Sequence, residues 1–219
     1  MCGRYELAEI QALKERFALT ADPGPLAARY NVAPTQMMPV VIKQSPNRLV
    51  MMRWGLIPGW ARDSKTVTPL INARAETLAQ KPSFRRLLVS QPCLVPASGF
   101  YEWKQTAAGK VPHYIHLQDE PLFAFAGLYD HWSDPDGAEI FSYTIITTVP
   151  NELMAPIHNR MPVILSRADE ELWLNPDEMK AERLLPLLRS YPAGAMEAIP
   201  VSRAVNNVRN DNPMLRQPV

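Results

Sequence analysis

The chain has 219 residues, a formal net charge of +1 at pH 7, 47% hydrophobic residues and 21% charged residues. This composition supports a packed core in a single domain and excludes both a disordered chain and a broadly polybasic nucleic-acid binder, although a local basic groove is allowed. Two cysteines, no leader-like N-terminus and no long apolar run exclude a secreted disulfide scaffold and a membrane span, so we expect a cytoplasmic protein.

Hydrophobic periodicity and turn residues predict more strands than helices. Helices are predicted at residues 6–18, 83–90, 168–174 and 177–190, and a short alternation at 70–76 runs into a further helix. Strands are predicted at 38–43, 48–54, 93–96, 99–104, 111–117, 122–129, 140–147 and 163–165, with a strand-like run within 196–205. Loops or turns are predicted at 21–25, 29–34, 45–47, 54–60 and 155–162.

The strands do not alternate regularly with the helices, which argues against a doubly wound parallel sheet. We therefore expect one α+β domain spanning residues 1–219. Its sheet should be mixed, mostly antiparallel and barrel-like, with helices packed at the periphery.

The first residues carry the most unusual chemistry. Initiator Met is usually removed when the next side chain is small, so Cys2 is a candidate N-terminal residue with a free amine beside its thiol. Such an amine, with a pKa of about 8, forms a Schiff base with an aldehyde, and the thiol then closes a five-membered thiazolidine. Alternatively, Cys2 is an ordinary cysteine. Cys93 lies in an apolar run and is expected in the core.

Three polar residues are candidates for proton transfer or positioning. Glu102 lies among three aromatic residues, a setting that raises a carboxyl pKa, but strand alternation would instead place it in water. His158 lies in a proline-bracketed loop, which is typical of an acid/base beside an anion site or of an ordinary surface histidine. Asn72 interrupts an apolar run, either as a turn residue or as a hydrogen-bonding partner for a buried group.

An arginine lies close to each of these candidates in the sequence. Arg4, Arg74 and Arg160 have planar donor forks suited to phosphate if the fold brings them together, and otherwise they are ordinary surface residues. Trp60 and Pro34 lie in irregular segments. An exposed tryptophan beside arginines suits stacking on the bases of single-stranded nucleic acid, whereas either side chain could also belong to the core.

The sequence predicts no metal site and no cofactor. His113 and His116 are three residues apart on a predicted strand and therefore face opposite sides. The sequence contains no paired-cysteine or HExxH spacing. It also has no GxGxxG motif and no Walker-type loop, so we expect no nucleotide cofactor.

Several short blocks together resemble the SRAP family (SOS-response-associated peptidase domain) of abasic-site-processing proteins. They are MCGRY at 1–5, RYNVAP at 29–34, WGLIPGW at 54–60, NARAE at 72–76, GFYEWK at 99–104, HNRMP at 158–162, PVS at 200–202 and NN at 206–207. Each block alone is weak. Their common order from the first residues almost to the last makes the resemblance specific, and it implies the SRAP fold.

The resemblance implies covalent capture of abasic sites. Cys2 would be the nucleophile after Met1 is removed, and it would form a thiazolidine cross-link that protects the lesion during replication. Glu102 would lie beside the N-terminal amine and take part in releasing the residue before Cys2, by self-processing. His158 would be the acid/base near the deoxyribose ring oxygen, and Asn72 would orient the linkage. An associated lyase activity, through a Schiff base and β-elimination, is also implied.

The implied partner is single-stranded DNA that contains abasic sites, bound by a monomer near the replication fork. Arg4, Arg74 and Arg160 would hold the phosphates that flank the lesion. Pro34 and Trp60 would pack against the neighbouring bases.

Three other functions remain open from the residues. An N-terminal-nucleophile amidohydrolase also exposes a cysteine after Met loss, but that family continues with an apolar residue at the position of Arg4 and lacks the blocks at 99–103 and 158–162. Glutaminase activity would identify it. A non-catalytic module that binds single-stranded DNA would form no species resistant to denaturation. A peptidase acting on other proteins is the third alternative.

Overall fold

Two sheets account for most of the regular structure. The computed structural model describes residues 2–19, 21, 24–44, 47–134, 136–175 and 181–219. In chain order the strands of these residues are β1 (Tyr5–Leu7), β2 (Arg29–Val32), β3 (Met37–Ile42), β4 (Arg48–Trp54), β5 (Asn72–Arg74), β6 (Pro92–Ala97), β7 (Gly99–Thr106), β8 (Gly109–Leu117), β9 (Phe123–Ser133), β10 (Glu139–Thr148), β11 (Met161–Pro162), β12 (Ile164–Leu165) and β13 (Met196–Pro200).

Five strands close into a ring. β3 pairs with β4 and β6, β6 with β9, and β9 with β10, all antiparallel, and the parallel pairing of β10 with β4 completes the circuit. Strand β5 lies parallel to β10, β11 pairs with β10, and β12 pairs with β9. β6 is buried along its whole length, as expected for a closed barrel whose strands are also covered from outside.

The second sheet is antiparallel, with the strand order β13-β8-β7-β1-β2. It joins the ring through aromatic side chains. Tyr5 of β1 meets Trp54 edge-on, with ring centroids 5.2 Å apart, and Phe100 of β7 meets Phe125 at 6.0 Å. Edge-to-face pairs of this kind add to the burial of apolar area. They fix β1 and β7, which carry the N-terminus and Glu102, against the ring.

The helices are short and peripheral. They are α1 (Leu13–Arg16), α2 (Leu87–Ser90), α3 (Arg167–Leu174) and α4 (Ala181–Leu184). Helix α3 begins after Ser166, whose side-chain oxygen accepts the Asp169 N–H at 3.2 Å, and Trp173 from the same helix donates to the Cys93 carbonyl. None of the helices in the described segments is long and apolar enough to cross a membrane.

The architecture confirms the expected α+β fold with a mixed, mostly antiparallel, barrel-like sheet. The strand predictions from 38–43 to 163–165 are confirmed, with shifts of a few residues at their ends. The strand predicted at 48–54 has the same bounds as β4. Helix 168–174 is confirmed as α3, and Cys93 is buried in the core, also as expected.

Two predicted segments are wrong in type. The helix predicted at 6–18 begins only at Ile10, because Tyr5–Leu7 pairs as a strand with both β2 and β7. Its apolar residues Leu7 and Leu13 are nevertheless fully buried. The loop predicted at 29–34 is a strand over Arg29–Val32 for the same reason, since its partner is β1.

Other predicted segments are correct only in part. Only Leu87–Ser90 of the helix predicted at 83–90 is α-helical, and the helix predicted after 70–76 is a single 3-10 turn at Ala75–Thr77. The helix predicted at 177–190 starts outside the described residues. Its observed part is α4, followed by a 3-10 turn at Leu185–Leu187. The turns predicted at 21–25 and 45–47 also lie partly outside the described residues.

Candidate active site

The pairing of β1 with β7 places the N-terminal segment beside Glu102. Tyr5 is opposite Phe100 in this antiparallel pair, and the Tyr101 N–H donates to the Arg4 carbonyl at 3.0 Å. Continuing the same register by two residues sets Gly3 next to Glu102. Cys2 therefore lies just before β1, the strand that pairs with the strand of Glu102.

Asn72 reaches this segment from the ring. It begins β5 and lies beside Ile145 of β10, and its side-chain amide donates to the Cys2 carbonyl at 2.9 Å. The other half of the amide, Oδ1, is buried and accepts no hydrogen bond from the described part of the chain. A buried acceptor without a partner is costly, so Oδ1 is available to a donor from a bound ligand or from a processed N-terminus.

The Cys2 thiol is fully buried and donates to the Arg4 carbonyl, with sulfur and oxygen 3.8 Å apart. Burial raises the pKa of this thiol far above its usual range, and the charge of Glu102 raises it further. The sulfur is therefore a neutral thiol at physiological pH. It can add to a reactive carbon that another group has already activated, but it is a poor first nucleophile.

Glu102 and His158 face each other in the site. Glu102 is only 3% exposed, and its Oε1 lies 4.0 Å from His158 Nδ1. Burial raises the pKa of Glu102 above its ordinary value, and the positive charge that His158 can carry opposes that rise. Glu102 thus holds a proton more tightly than an exposed carboxylate does, which suits it to proton transfer.

The ring of His158 is oriented by the backbone of its own loop. The Arg160 N–H donates to Nδ1 at 3.0 Å. Nδ1 also lies 3.2 Å from the Arg160 carbonyl oxygen, so whether Nδ1 donates or accepts depends on the tautomer. In either tautomer the loop backbone fixes the imidazole beside Glu102.

A cleft of about 400 Å³ opens over this pair. Its lining consists of Glu102, Trp103, Lys110, His158 and Asn206. Trp103 is held by a hydrogen bond from its indole nitrogen to Asn206 Oδ1 at 2.8 Å. The cleft is therefore polar at its base, with an aromatic wall and one lysine at its edge.

The three predicted phosphate-binding arginines differ in their availability. Arg4 donates to Asn31 Oδ1 and to the carbonyl oxygens of Val205 and Asn206, so it ties the N-terminus to the C-terminal segment. Arg160 forms a bidentate ion pair with Glu76 and also bonds Thr147.

Arg74 is exposed, and no hydrogen bond or ion pair engages its side chain within the described ranges. Of the three, only Arg74 presents an unoccupied guanidinium to solvent. The proposed roles of Arg4 and Arg160 in holding phosphates stay predictions.

Trp60 and Pro34 lie on the surface rather than in the core. Trp60 is 66% exposed, which agrees with the expected exposed ring, and Pro34 is half-buried. In the described part of the chain, no hydrogen bond or ring contact joins either residue to Cys2, Glu102 or His158. Their proposed role in packing against bases stays a prediction.

Sequence reasoning missed two charged residues of this region. Lys110 lines the cleft because the β7–β8 hairpin places it opposite Gln105. Gly109, with a φ of +103°, lies in the turn of this hairpin. This glycine was the sequence feature that could have predicted the turn. Glu76 belongs to the NARAE block, but the sequence gave no indication of its pairing with Arg160, which is 84 residues away in the chain.

No metal ligand set accompanies these groups. In the ranges that the structure describes, no three His, Cys, Asp or Glu side chains are arranged to bind a metal ion. The chemistry available here is that of a cysteine thiol, a buried carboxyl group, an imidazole and an amide.

Comparison with known proteins shows the family to which the chain belongs. The model of the SOS response associated peptidase (SRAP) family matches residues 1–208. The chain belongs to the SRAP family. It is 49% identical to the abasic site processing protein YoqW of Bacillus subtilis (strain 168), over 98% of both chains.

More distant SRAP relatives agree. The chain is 36% identical to the abasic site processing protein HMCES of Gallus gallus, over its full length and 78% of the relative. A crystal structure of a protein from Bacteroides thetaiotaomicron superposes with a TM-score of 0.89 at 30% identity, covering 100% of both chains. The similarity to this structure supports the α+β fold described above.

Proposed function

We propose that this SRAP protein captures abasic sites in single-stranded DNA through Cys2, once Met1 has been removed. The observation that carries the proposal is the convergence of four groups. Asn72 holds the Cys2 carbonyl, and the Glu102–His158 pair lies beside the same segment, in a chain 49% identical to a named abasic site processing protein. Met1 itself lies outside the described residues.

The first step in this proposal is ring opening and Schiff-base formation. An abasic deoxyribose exists as a closed hemiacetal in equilibrium with an open aldehyde. His158 donates a proton to the ring oxygen, and Glu102 takes a proton from the Cys2 ammonium so that the free amine attacks the aldehyde carbon. Loss of water from the resulting carbinolamine gives the Schiff base. The raised pKa of Glu102 matches it to this proton transfer.

The second step decides between a cross-link and a nick. Cys2 sulfur adds to the Schiff-base carbon, its proton passes to the nitrogen, and the product is a thiazolidine without an iminium. If the thiol fails to add, proton loss from the adjacent carbon expels the 3′ phosphate by β-elimination, which breaks the strand. The thiol and the amine of Cys2 lie on adjacent carbons of one residue, so closure is intramolecular and favours the first route.

The residue after Gly3 also favours aldehyde capture over amide hydrolysis. The chain has Arg4 where N-terminal-nucleophile amidohydrolases continue with an apolar residue. The near-neutral net charge fits covalent capture as well. A covalent bond supplies the durability, so electrostatics need only align one stretch of strand.

The test is a denaturing gel of the purified protein with single-stranded DNA that carries one abasic site. Wild-type protein should give a slowly migrating band that survives denaturation, and Cys2→Ala should give no stable band. Cys2→Ser, which keeps the amine but loses the thiol, should nick the strand and give a short-lived adduct at most. Mass spectrometry of each protein should show that Met1 is absent.

Two outcomes would contradict the proposal. Processed wild-type protein that forms no denaturation-resistant band would exclude aldehyde capture, and a glutaminase assay would then test the amidohydrolase alternative. A Cys2→Ser cross-link as durable as that of the wild type would exclude the thiazolidine.

A further inference from the structure

Arg160 is held by two different kinds of partner. Its Nη1 and Nη2 donate to the two carboxylate oxygens of Glu76 at 2.6 and 2.9 Å, and its Nη2 also donates to the Thr147 carbonyl at 2.6 Å. The guanidinium side chain is only 13% exposed. Both terminal nitrogens of Arg160 are therefore occupied in the DNA-free protein.

The two partners differ in their freedom to move. Thr147 is buried in β10, and its carbonyl is fixed by the ring. Glu76 lies on the 3-10 turn Ala75–Thr77, and its side chain is 44% exposed, so it can rotate into water at little cost. The carbonyl thus anchors the guanidinium, while the carboxylate can leave it.

Glu76 occupies the donors that a phosphate would use. A bidentate carboxylate and a bidentate phosphate both engage the same fork of guanidinium N–H groups. Both terminal nitrogens of Arg160 already donate to Glu76, so a phosphate that engages this same fork competes with the carboxylate and must displace it. The hydrogen bonds from Arg160 lower the pKa of Glu76, and the charge of Arg74 adds to this effect, so Glu76 is a carboxylate at neutral pH.

We propose that Glu76 competes with DNA phosphate for Arg160 and so limits the non-covalent affinity for any strand. This proposal rests on the proposed DNA-binding function and deepens it. The competition weakens the non-covalent hold on any strand, so that residence on undamaged DNA is brief. Only an abasic site adds a covalent bond, which compensates for the weakened non-covalent binding.

The test compares Glu76→Gln with wild type in binding single-stranded DNA that carries a tetrahydrofuran abasic analogue. This analogue lacks the hydroxyl needed to form an aldehyde, so only non-covalent binding is measured. Glu76→Gln should bind roughly three- to tenfold more tightly, with a steeper dependence on salt, because a neutral amide no longer competes with phosphate. Undamaged single-stranded DNA should gain by the same factor.

Two controls separate competition from a general change in charge. Glu171→Gln makes the same charge change at an exposed position of α3 and should leave DNA affinity close to that of wild type. In an Arg160→Ala background, Glu76→Gln should have no further effect, because the residue for which it competes is gone.

Several results would overturn the proposal. Weaker binding by Glu76→Gln would mean that the carboxylate positions Arg160 for phosphate rather than competing with it. Unchanged binding, or an effect that persists in the Arg160→Ala background, would exclude the competition equally. Failure of the proposed function is distinguishable from these results, because it appears in wild-type protein as a missing cross-link with authentic abasic DNA.

Discussion

At the scale of single residues, burial gives the site its reactivity. Glu102 is almost fully buried, and desolvation raises its pKa above the ordinary value. Strand alternation could have placed this carboxylate in water, but the side chain points to the same face as buried Phe100. An ordinary surface glutamate would be ionised throughout the neutral range, and it would be a weaker base.

The rate of cross-link formation should depend on the ionisation of Glu102. Its carboxylate form accepts the proton of the Cys2 ammonium, so the rate should fall as pH decreases through the raised pKa of this group. Glu102→Gln should slow cross-linking by roughly 100-fold or more and remove this acid limb. Single-turnover cross-linking at a series of pH values measures both effects.

Non-covalent affinity for the tetrahydrofuran analogue is the control for Glu102→Gln. It should remain within a few-fold of wild type, because the change is isosteric and no phosphate contact is proposed for Glu102. The Cys2 amine, with a pKa of about 8, still titrates in this variant, so only an acid limb with the same midpoint as wild type would assign the titration to a different group. A comparable loss of affinity would mean that the residue acts in binding rather than in proton transfer.

At the scale of elements, the loop that carries Trp60 is fastened to the edge of the ring. Asp130 of β9 is only 3% exposed, and its carboxylate accepts the Gly59 N–H at 2.8 Å and the His131 N–H at 2.9 Å. A side chain at position 59 would lie 2.7 Å from the His131 carbonyl oxygen, so glycine is required for this close approach. The exposed ring of Trp60 is thus presented from a fixed backbone.

Gly59→Ala should therefore displace Trp60 and weaken DNA binding. If Trp60 stacks on a base, the loss should approach that of Trp60→Ala, about tenfold, since such a stack contributes about 1–3 kcal/mol. The rate of cross-linking at saturating abasic DNA should be unchanged, because Cys2 and Glu102 are untouched. Fluorescence anisotropy with the tetrahydrofuran analogue gives the affinities.

Gly194→Ala is the matched control for this substitution. A methyl group at position 194 meets no atom within 4 Å, so the variant should bind DNA as wild type does. Normal affinity in Gly59→Ala together with reduced affinity in Trp60→Ala would mean that the loop tolerates the methyl group. Normal affinity in both variants would exclude a role for Trp60 in binding.

The elements also explain how far the sequence could predict the structure. Strands with a strong apolar run, such as β4 and β6, were predicted because burial imposes their pattern locally. Glu6 and Leu7 were included in the predicted helix 6–18 because Leu7 fits a helical stripe, and only the pairing of β1 with two distant strands makes them extended. Local hydrophobic periodicity does not predict pairing between strands that are distant in the sequence.

In the candidate site, too, local features could be predicted from the sequence and long-range contacts could not. The sequence singled out Cys2, Asn72, Glu102 and His158 by residue type and setting, and the structure brings Cys2 to Asn72 and Glu102 to His158. It could not indicate that Arg160 is paired with Glu76, or that Lys110 lines the cleft. Those contacts depend on register and side-chain geometry across long separations.

At the scale of the whole molecule, the C-terminal segment closes over the outer face of the second sheet. Glu6 of β1 is fully buried there, and Arg216 donates to its Oε1 at 3.1 Å. Tyr101 lies within 3.5 Å of its other carboxylate oxygen. Burial raises the pKa of Glu6 from 4.5 to about 7, and the charge of Arg216 offsets only part of that rise.

Because the folded protein binds this proton more tightly than the unfolded chain, Glu6 makes stability depend on pH. Its contribution is fully present below pH 4.5 and is lost as pH rises to about 7. The loss is on the order of 3 kcal/mol. Neutral Gln at the same position should not titrate, so the stability of Glu6→Gln relative to wild type should increase over that pH range.

Melting temperatures of the two proteins between pH 4.5 and 8 measure this difference. Relative to wild type, Glu6→Gln should gain several degrees from the acidic to the neutral end, at about 2–4 °C per kcal/mol for a chain of this size. The contributions of other titrating groups to the difference in melting temperature cancel, because both proteins carry those groups. Glu15→Gln, at an exposed position, controls for the loss of one carboxylate. A difference independent of pH would show that Arg216 keeps Glu6 ionised throughout. A loss for Glu6→Gln with rising pH would mean that the ion pair outweighs burial, and that it fastens the C-terminal segment to the sheet.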